Sequence, residues 1–170
     1  MRNVLFLISI LFLSGTFVRA VNPVRTTSPK NGDPLFEKAV ACIKVFEGWH
    51  TARSHPYIGY GHKLLPGERL TASLTEAQAD SLLRSDLRKR YATFRRFGKD
   101  ALLLMVLSYN VGEYRLLGYG KIPKSNLIRK LEKGNRDIYK EYVSFRKYKG
   151  KVVRSIERRR KVEFGLFYIP

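Results

Sequence analysis

A very apolar run in the middle of the chain constrains the fold more than any other feature. Residues 101–111 read ALLLMVLSYNV, with aliphatic side chains at nearly every position. A helix that is apolar on almost all sides is buried on all sides. The run therefore predicts one central helix with the others packed around it, and 170 residues suit a single domain of this kind.

Other segments carry helical patterns or helix boundaries. Phe36, Val40, Ile43 and Glu47 follow one another at helical spacing, and Gly48 provides a natural end to that helix. Further along, the sequence Thr-Glu-Ala-Gln at 75–78 is a capping box, and a serine at 125 can cap another helix. Helices are predicted in the C-terminal part over 126–133, 136–147 and 155–167.

Residues 56–62, PYIGYGH, combine β-forming side chains with glycines and predict a short hairpin. One small β element among about six helices predicts an α+β fold that is mainly helical.

The N-terminus predicts export. Residues 1–20 combine Arg2, an apolar stretch from Val4 to Phe17 and a Val-Arg-Ala end, as in a secretory signal peptide. An uncleaved membrane anchor is the alternative, although the run is short for that. Residues 21–34 hold three prolines and are interpreted as a linker, which leaves 35–170 as the globular domain. The mature protein is expected outside the cytoplasm, in the periplasm or beyond, without stable membrane insertion.

Glu47 is the candidate acid. It is the last helical residue before Gly48 and lies on the same stripe as apolar side chains. Partial burial and the negative end of a helix dipole both favour a protonated carboxyl, which a general acid needs near neutral pH. Trp49, Tyr57 and Tyr60 follow closely, and aromatic rings suit a sugar-binding cleft. A surface glutamate beside ordinary core aromatics is the alternative.

Five segments follow one another along the chain: FEG at 46–48, IGYGH at 58–62, LTEAQA at 74–79, NVG at 110–112, and the RRR, Glu163 and LF pattern from 158 to 167. In this order they resemble the motifs of the phage-type lysozymes, the lysozyme and endolysin family of glycoside hydrolases. The match covers about Leu35 to Tyr168.

The resemblance implies a small hairpin lobe, a connecting helix and a helical C-terminal lobe, with a cleft between the lobes. It implies hydrolysis of the β-1,4 bond between N-acetylmuramic acid and N-acetylglucosamine in peptidoglycan, with Glu47 as the acid. Arg158 is expected to approach that acid. By the same resemblance, the cleft is lined by Tyr57, Tyr60, Gly61, His62 and Asn110.

The loop after Glu47 departs from the family pattern. The family places an aspartate and a threonine there, but Gly48 to Tyr57 contain no acid, and Tyr57 holds the threonine position. An inverting glycosidase needs a group that activates water on the opposite face of the sugar. His50 and Thr51 are taken as the catalytic candidates, with alternatives at Ser54 and His55 and a further polar candidate at His62. A peptidoglycan-binding module with impaired catalysis is the alternative function.

Charge and cysteine content restrict the remaining classes. The formal net charge of +19 at pH 7 suits an acidic target such as the bacterial envelope. A nucleic-acid binder and a cationic membrane-disrupting protein are rival functions, but export and the lack of a binding motif argue against the first. One cysteine, Cys42, excludes an intramolecular disulfide and a multi-cysteine zinc site. Acid, water and a shaped cleft suffice for the reaction, so no metal or cofactor is expected, and we expect a monomer.

Overall fold

The computed structural model describes residues 27–170. The predicted signal peptide at 1–20 and the first part of the predicted linker, 21–26, lie outside the described residues. Between residues 27 and 170, no helix has the length and apolar character needed to cross a bilayer.

Helices make up most of the described chain, and the strands form two small antiparallel hairpins. This confirms the α+β class and the mainly helical architecture. The helices are α1 (Pro34–Glu47), α2 (Glu76–Phe94), α3 (Ala101–Val111), α4 (Glu113–Leu117), α5 (Asn126–Glu132), α6 (Tyr139–Val143) and α7 (Arg154–Phe167), and the strands are β1 (Tyr57–Ile58), β2 (His62–Lys63), β3 (Lys147–Tyr148) and β4 (Lys151–Val152).

Helix α1 ends at Glu47 as the sequence predicts. Asp33 caps its start by accepting from the Leu35 backbone N–H at 3.1 Å, and the fixed φ of Pro34 suits the first turn. The helix ends where the Gly48 N–H donates to the Lys44 carbonyl at 3.0 Å. Gly48 has a φ of +67°, which favours glycine at this position.

Helix α3 is the buried centre of the molecule. Residues 101–108 of this helix are all buried, and the helix contacts α1, α2 and α7. The prediction of a central helix is therefore confirmed. Apolar side chains from several elements close the core around it, and they include Phe36, Ile43, Leu83, Leu87, Phe94, Leu116, Ile128, Tyr142 and Phe167.

Helix α2 connects the β1–β2 hairpin to the helical part. Its predicted capping box is present: Thr75 Oγ1 accepts from Gln78 N at 3.2 Å, and Gln78 Oε1 accepts from Thr75 N at 2.8 Å. Helix α2 contacts β2 and packs against α3. A kinked 3-10 segment, Arg95–Asp100, then turns the chain into α3.

The hairpin at β1 and β2 pairs Tyr57 with Lys63 and Ile58 with His62. His50 adds a bridge to it, because its backbone N–H donates to the Gly59 carbonyl at 2.7 Å. The loop that follows Glu47 is therefore fastened to the hairpin two residues before Gly61.

The prediction of a helix over 136–147 is wrong for most of its length, because only Tyr139–Val143 is α-helical. Asn135 Oδ1 accepts from Asp137 N at 2.9 Å, a local turn that competes with helix at that point. Beyond α6, residues 147–152 form a second hairpin that the sequence analysis did not predict.

Candidate active site

The Glu47 side chain lies against the hairpin and is 16% exposed. A Cβ built on Gly61 would lie 3.5 Å from Glu47 Oε2, so the hairpin backbone packs directly against the carboxylate. Tyr109 of α3 adjoins the same glycine, and its hydroxyl donates to the Tyr60 carbonyl at 2.9 Å. The acid is thus enclosed by the end of α1, the glycine turn and α3.

An arginine of α7 meets this carboxylate, but it is Arg159 and not the expected Arg158. Arg159 Nη2 lies 2.8 Å from Glu47 Oε1, and its side chain is almost fully buried. The two atoms form an ion pair without the alignment of a hydrogen bond. Arg158 is exposed, because the face of α7 that turns inward carries Arg159, Glu163 and Phe167 at spacings of four residues.

Glu163 holds Arg159 from behind. Glu163 is fully buried, and its Oε1 accepts from Arg159 Nε at 2.7 Å. Its Oε2 accepts from Arg160 Nη1 at 2.7 Å and from the Tyr142 hydroxyl at 3.1 Å. Burial raises the pKa of Glu163, although the charges of the two arginines oppose that shift.

The same network reaches Asn110. Arg160 Nη2 donates to Asn110 Oδ1 at 2.6 Å, so this predicted cleft residue is anchored at the end of α3. Burial lowers the pKa of Arg159, but the charges of Glu163 and Glu47 outweigh it and raise that pKa above its usual value. Arg159 therefore stays a cation beside the Glu47 carboxylate.

His62 has both ring nitrogens engaged. Nδ1 lies 2.6 Å from Asp86 Oδ2 on α2, and Nε2 lies 3.0 Å from Glu68 Oε2 in the loop after β2. The residue is only 7% exposed. Burial would lower the pKa of His62, but the hydrogen bonds that its ring makes to the two carboxylates outweigh it and raise that pKa. This arrangement ties the hairpin to α2 and leaves no ring nitrogen for a ligand.

Tyr60 is likewise tied to helices. Its hydroxyl donates to Glu76 Oε1 at 3.0 Å, Lys44 Nζ lies 4.7 Å from its ring centroid, and Trp49 packs edge-to-face at 5.2 Å. Trp49 and Tyr57 are each 43% exposed. Exposed aromatic surface thus remains near both ends of the loop that follows Glu47.

The loop candidates differ in their surroundings. His50 is half-buried, its Nδ1 is buried without a hydrogen-bond partner, and its ring lies 6.1 Å from that of Tyr57. Thr51 is exposed and precedes a short 3-10 turn, Ala52–Ser54. His55 is exposed as well.

Comparison with known proteins identifies the family of the chain and a similar fold. A family model described as phage lysozyme matches residues 44–163. The chain belongs to the phage lysozyme family. Its fold is similar to the muramidase domain of SpmX from Asticaccaulis excentricus, with a TM-score of 0.62 and 26% sequence identity over 78% of this chain and 96% of that domain. No curated protein matches the chain in sequence.

The candidate acid of this phage lysozyme family member, Glu47, does not lie in the wide cavity of the structure. A cavity of about 950 Å³ opens elsewhere, beside Phe97, Leu102 and Ile169, and Glu47 does not line it. Its walls are mostly apolar, and the acid Asp100 is held there by both Arg136 Nε and Nη2 at 2.9 and 2.7 Å.

Within residues 27–170, no cluster of three or more His, Cys, Asp or Glu side chains is arranged to hold a metal ion. Cys42 is buried, and burial raises the pKa of its thiol to about 11, which keeps it protonated near neutral pH.

Sequence reasoning missed the residues that surround Glu47 from α3 and α7. Tyr109 was counted only as part of an apolar helix, and Glu163 only as part of a motif. Glu163 lies four residues after Arg159 and four before the buried Phe167. That spacing was the available signal for choosing Arg159 over Arg158.

Proposed function

We propose that this protein is a muramidase that hydrolyses the β-1,4 bond between N-acetylmuramic acid and N-acetylglucosamine in peptidoglycan. The observation that carries the proposal is the placement of Glu47, half-buried against Gly61 and paired with Arg159. The family and the similarity to a muramidase domain support the same activity.

In the proposed mechanism, Glu47 donates its proton to the glycosidic oxygen as the bond to the sugar C1 breaks. Oε2 faces the glycine turn, while Oε1 faces Arg159. Arg159 stabilises the carboxylate that remains after proton transfer. Arg159 also donates to Glu163, so that its charge is shared between two acids.

Water completes the reaction at C1, and its proton needs an acceptor. We propose His50 for this step, with Thr51 orienting the water. His50 Nδ1 is enclosed by protein, which leaves Nε2 as the nitrogen that can meet water. The backbone bridge between His50 and Gly59 fixes this residue relative to the glycine turn beside Glu47.

The glycan strand would lie along the exposed aromatic side chains near Glu47. Trp49 and Tyr57 offer ring surface to the sugars, and Asn110, held by Arg160, offers a polar group. Tyr60 and His62 shape the hairpin through their bonds to helix α2. The strongly basic chain suits the carboxylates of peptidoglycan stem peptides. We propose that the protein acts after export, as a monomer and without a cofactor.

One observation favours a second candidate. No side chain between Gly48 and Tyr57 is acidic, so the usual carboxylate that activates water is missing from the loop. General bases contribute about 10²–10⁴-fold in rate. If His50 does not replace it, the protein is a peptidoglycan-binding module with little hydrolytic activity.

Purified sacculi distinguish the two candidates. Clearing and release of reducing ends should be measured for the wild type, for Glu47→Gln and for Glu132→Gln, which changes another acid at a helix C-terminus. A muramidase releases new reducing ends, and only Glu47→Gln loses them. Binding without any release by the wild type would support the binding module, and neither binding nor release would refute both.

A further inference from the structure

Two tyrosines form an exposed pair with tilted rings that the proposed catalytic arrangement does not use. The rings of Tyr114 and Tyr119 lie 4.6 Å apart between centroids at an angle of 33°. The residues are 59% and 67% exposed, and Ile122 beside them is 46% exposed. An exposed apolar patch that is surrounded by polar residues marks an interaction or ligand-binding site more often than a single exposed apolar side chain does.

The segment that presents this pair is rigid. Tyr119 and Ile122 exchange two backbone hydrogen bonds of 2.9 Å. Gly118, at a φ of +82°, leaves no room for a side chain, because an added Cβ would lie 2.8 Å from the Lys124 nitrogen. Leu116 anchors α4 in the core. The backbone that carries the two rings is therefore fixed before any ligand arrives, which lowers the entropic cost of binding.

The pair is connected to the Glu47 site through α2 and α3. Arg90 of α2 lies 3.7 Å from Glu113, the residue before Tyr114. Its guanidinium also lies 5.3 Å from the ring centroid of Tyr109. Tyr109 is the side chain that adjoins Gly61 beside Glu47. A chain of direct contacts thus runs from the acid to the start of α4.

We infer that Tyr114 and Tyr119 form a saccharide subsite that binds an amino-sugar ring of the glycan strand beyond the bond that Glu47 cleaves. The inference rests on the proposed function, because it concerns the same polymer. Aromatic faces pack against the C–H faces of pyranose rings, and phenol hydroxyls can bond the sugar hydroxyl and acetamide groups. The surface offered by two tyrosine rings and one isoleucine is about as large as one or two sugar rings. A stable protein interface is larger, because it buries about 800 Å² on each partner.

The test measures binding in the Glu47→Gln background, where the strand is not consumed. The probe is soluble peptidoglycan glycan strand freed of its stem peptides. Tyr114→Ala and Tyr119→Ala should each weaken binding about three- to tenfold. Tyr114→Phe and Tyr119→Phe should retain most of it, because the ring remains. Tyr148→Ala is the matched control, since Tyr148 is 63% exposed on the distant β3 strand.

Each outcome decides the inference. Selective weakening by the two alanine variants, with unchanged thermal unfolding, supports it. Losses no larger than that of Tyr148→Ala overturn it, and if the wild type still cleaves sacculi, the proposed function survives that result. A loss seen only on strands that keep their peptides points to a peptide contact and also overturns it. If neither the wild type nor Glu47→Gln binds or cleaves peptidoglycan, the proposed function and the inference fail together.

Discussion

Glu163 is the residue whose replacement should destabilise this fold most clearly. In Glu163→Gln, two buried guanidiniums lose a shared counter-charge, and an amide N–H₂ replaces one acceptor oxygen. The bonds at stake are two of 2.7 Å from Arg159 and Arg160 and one of 3.1 Å from Tyr142. Removing one partner of a buried ion pair costs about 3–5 kcal/mol. For a domain of this size, that lowers the unfolding temperature by roughly 6–20 °C.

Thermal unfolding followed by circular dichroism, together with urea titration, measures this effect. Glu157→Gln is the control on the same helix, because Glu157 pairs with Arg146 and Lys161 near the surface. A surface pair contributes at most about 1 kcal/mol. If the two variants lose equal stability, the account of Glu163 as the buried anchor of Arg159 is refuted.

Three further predictions concern residues around the site. His62→Asn should lower the free energy of unfolding more at pH 6 than at pH 9. The raised pKa of His62 gives a stabilisation that is complete below about pH 6.5 and is lost as the pH rises through the folded-state pKa. Equal losses of stability in urea unfolding at both pH values would contradict this. Arg159→Gln should reduce kcat/KM on sacculi by about ten- to hundredfold, whereas Arg158→Gln should change kcat/KM less than twofold. If the two variants reduce kcat/KM equally, the ion pair between Arg159 and Glu47 does not have the role proposed for it. Cys42 should react slowly with a thiol reagent at pH 8 until urea unfolds the protein, since burial raises its pKa to about 11, and rapid labelling of the native protein would disprove that burial.

The fold could be predicted well wherever local signals and core packing agree. The apolar residues at 101–111 predict a helix that is buried on all sides. The apolar stripe of α1, followed by Gly48, predicts that Glu47 lies at the end of that helix. The capping box at Thr75 fixed the start of α2. These features depend on residues close in sequence, so they can be recognised without coordinates.

Other features depend on contacts between distant residues and could not be predicted in this way. The turn that keeps residues 135–138 out of a helix is reinforced by bonds from Arg136 to Asp100 and to the Ile169 carbonyl. The β3–β4 hairpin is exposed, half of residues 147–152 are lysines, and the segment carries little apolar pattern. The spacing of Arg159, Glu163 and Phe167 could indicate which arginine of α7 turns inward, but only the packing of α7 against α1 brings Arg159 to Glu47.

Hydrolysis of sacculi in water enriched in ¹⁸O, with mass spectrometry of the fragments, tests the central claim most directly. A muramidase with Glu47 as its acid should produce muramic acid reducing ends that carry one ¹⁸O atom. Glu47→Gln should produce them at least about 100-fold more slowly. Fragments without the label, no fragments from the wild type, or equal rates for both proteins would contradict the account.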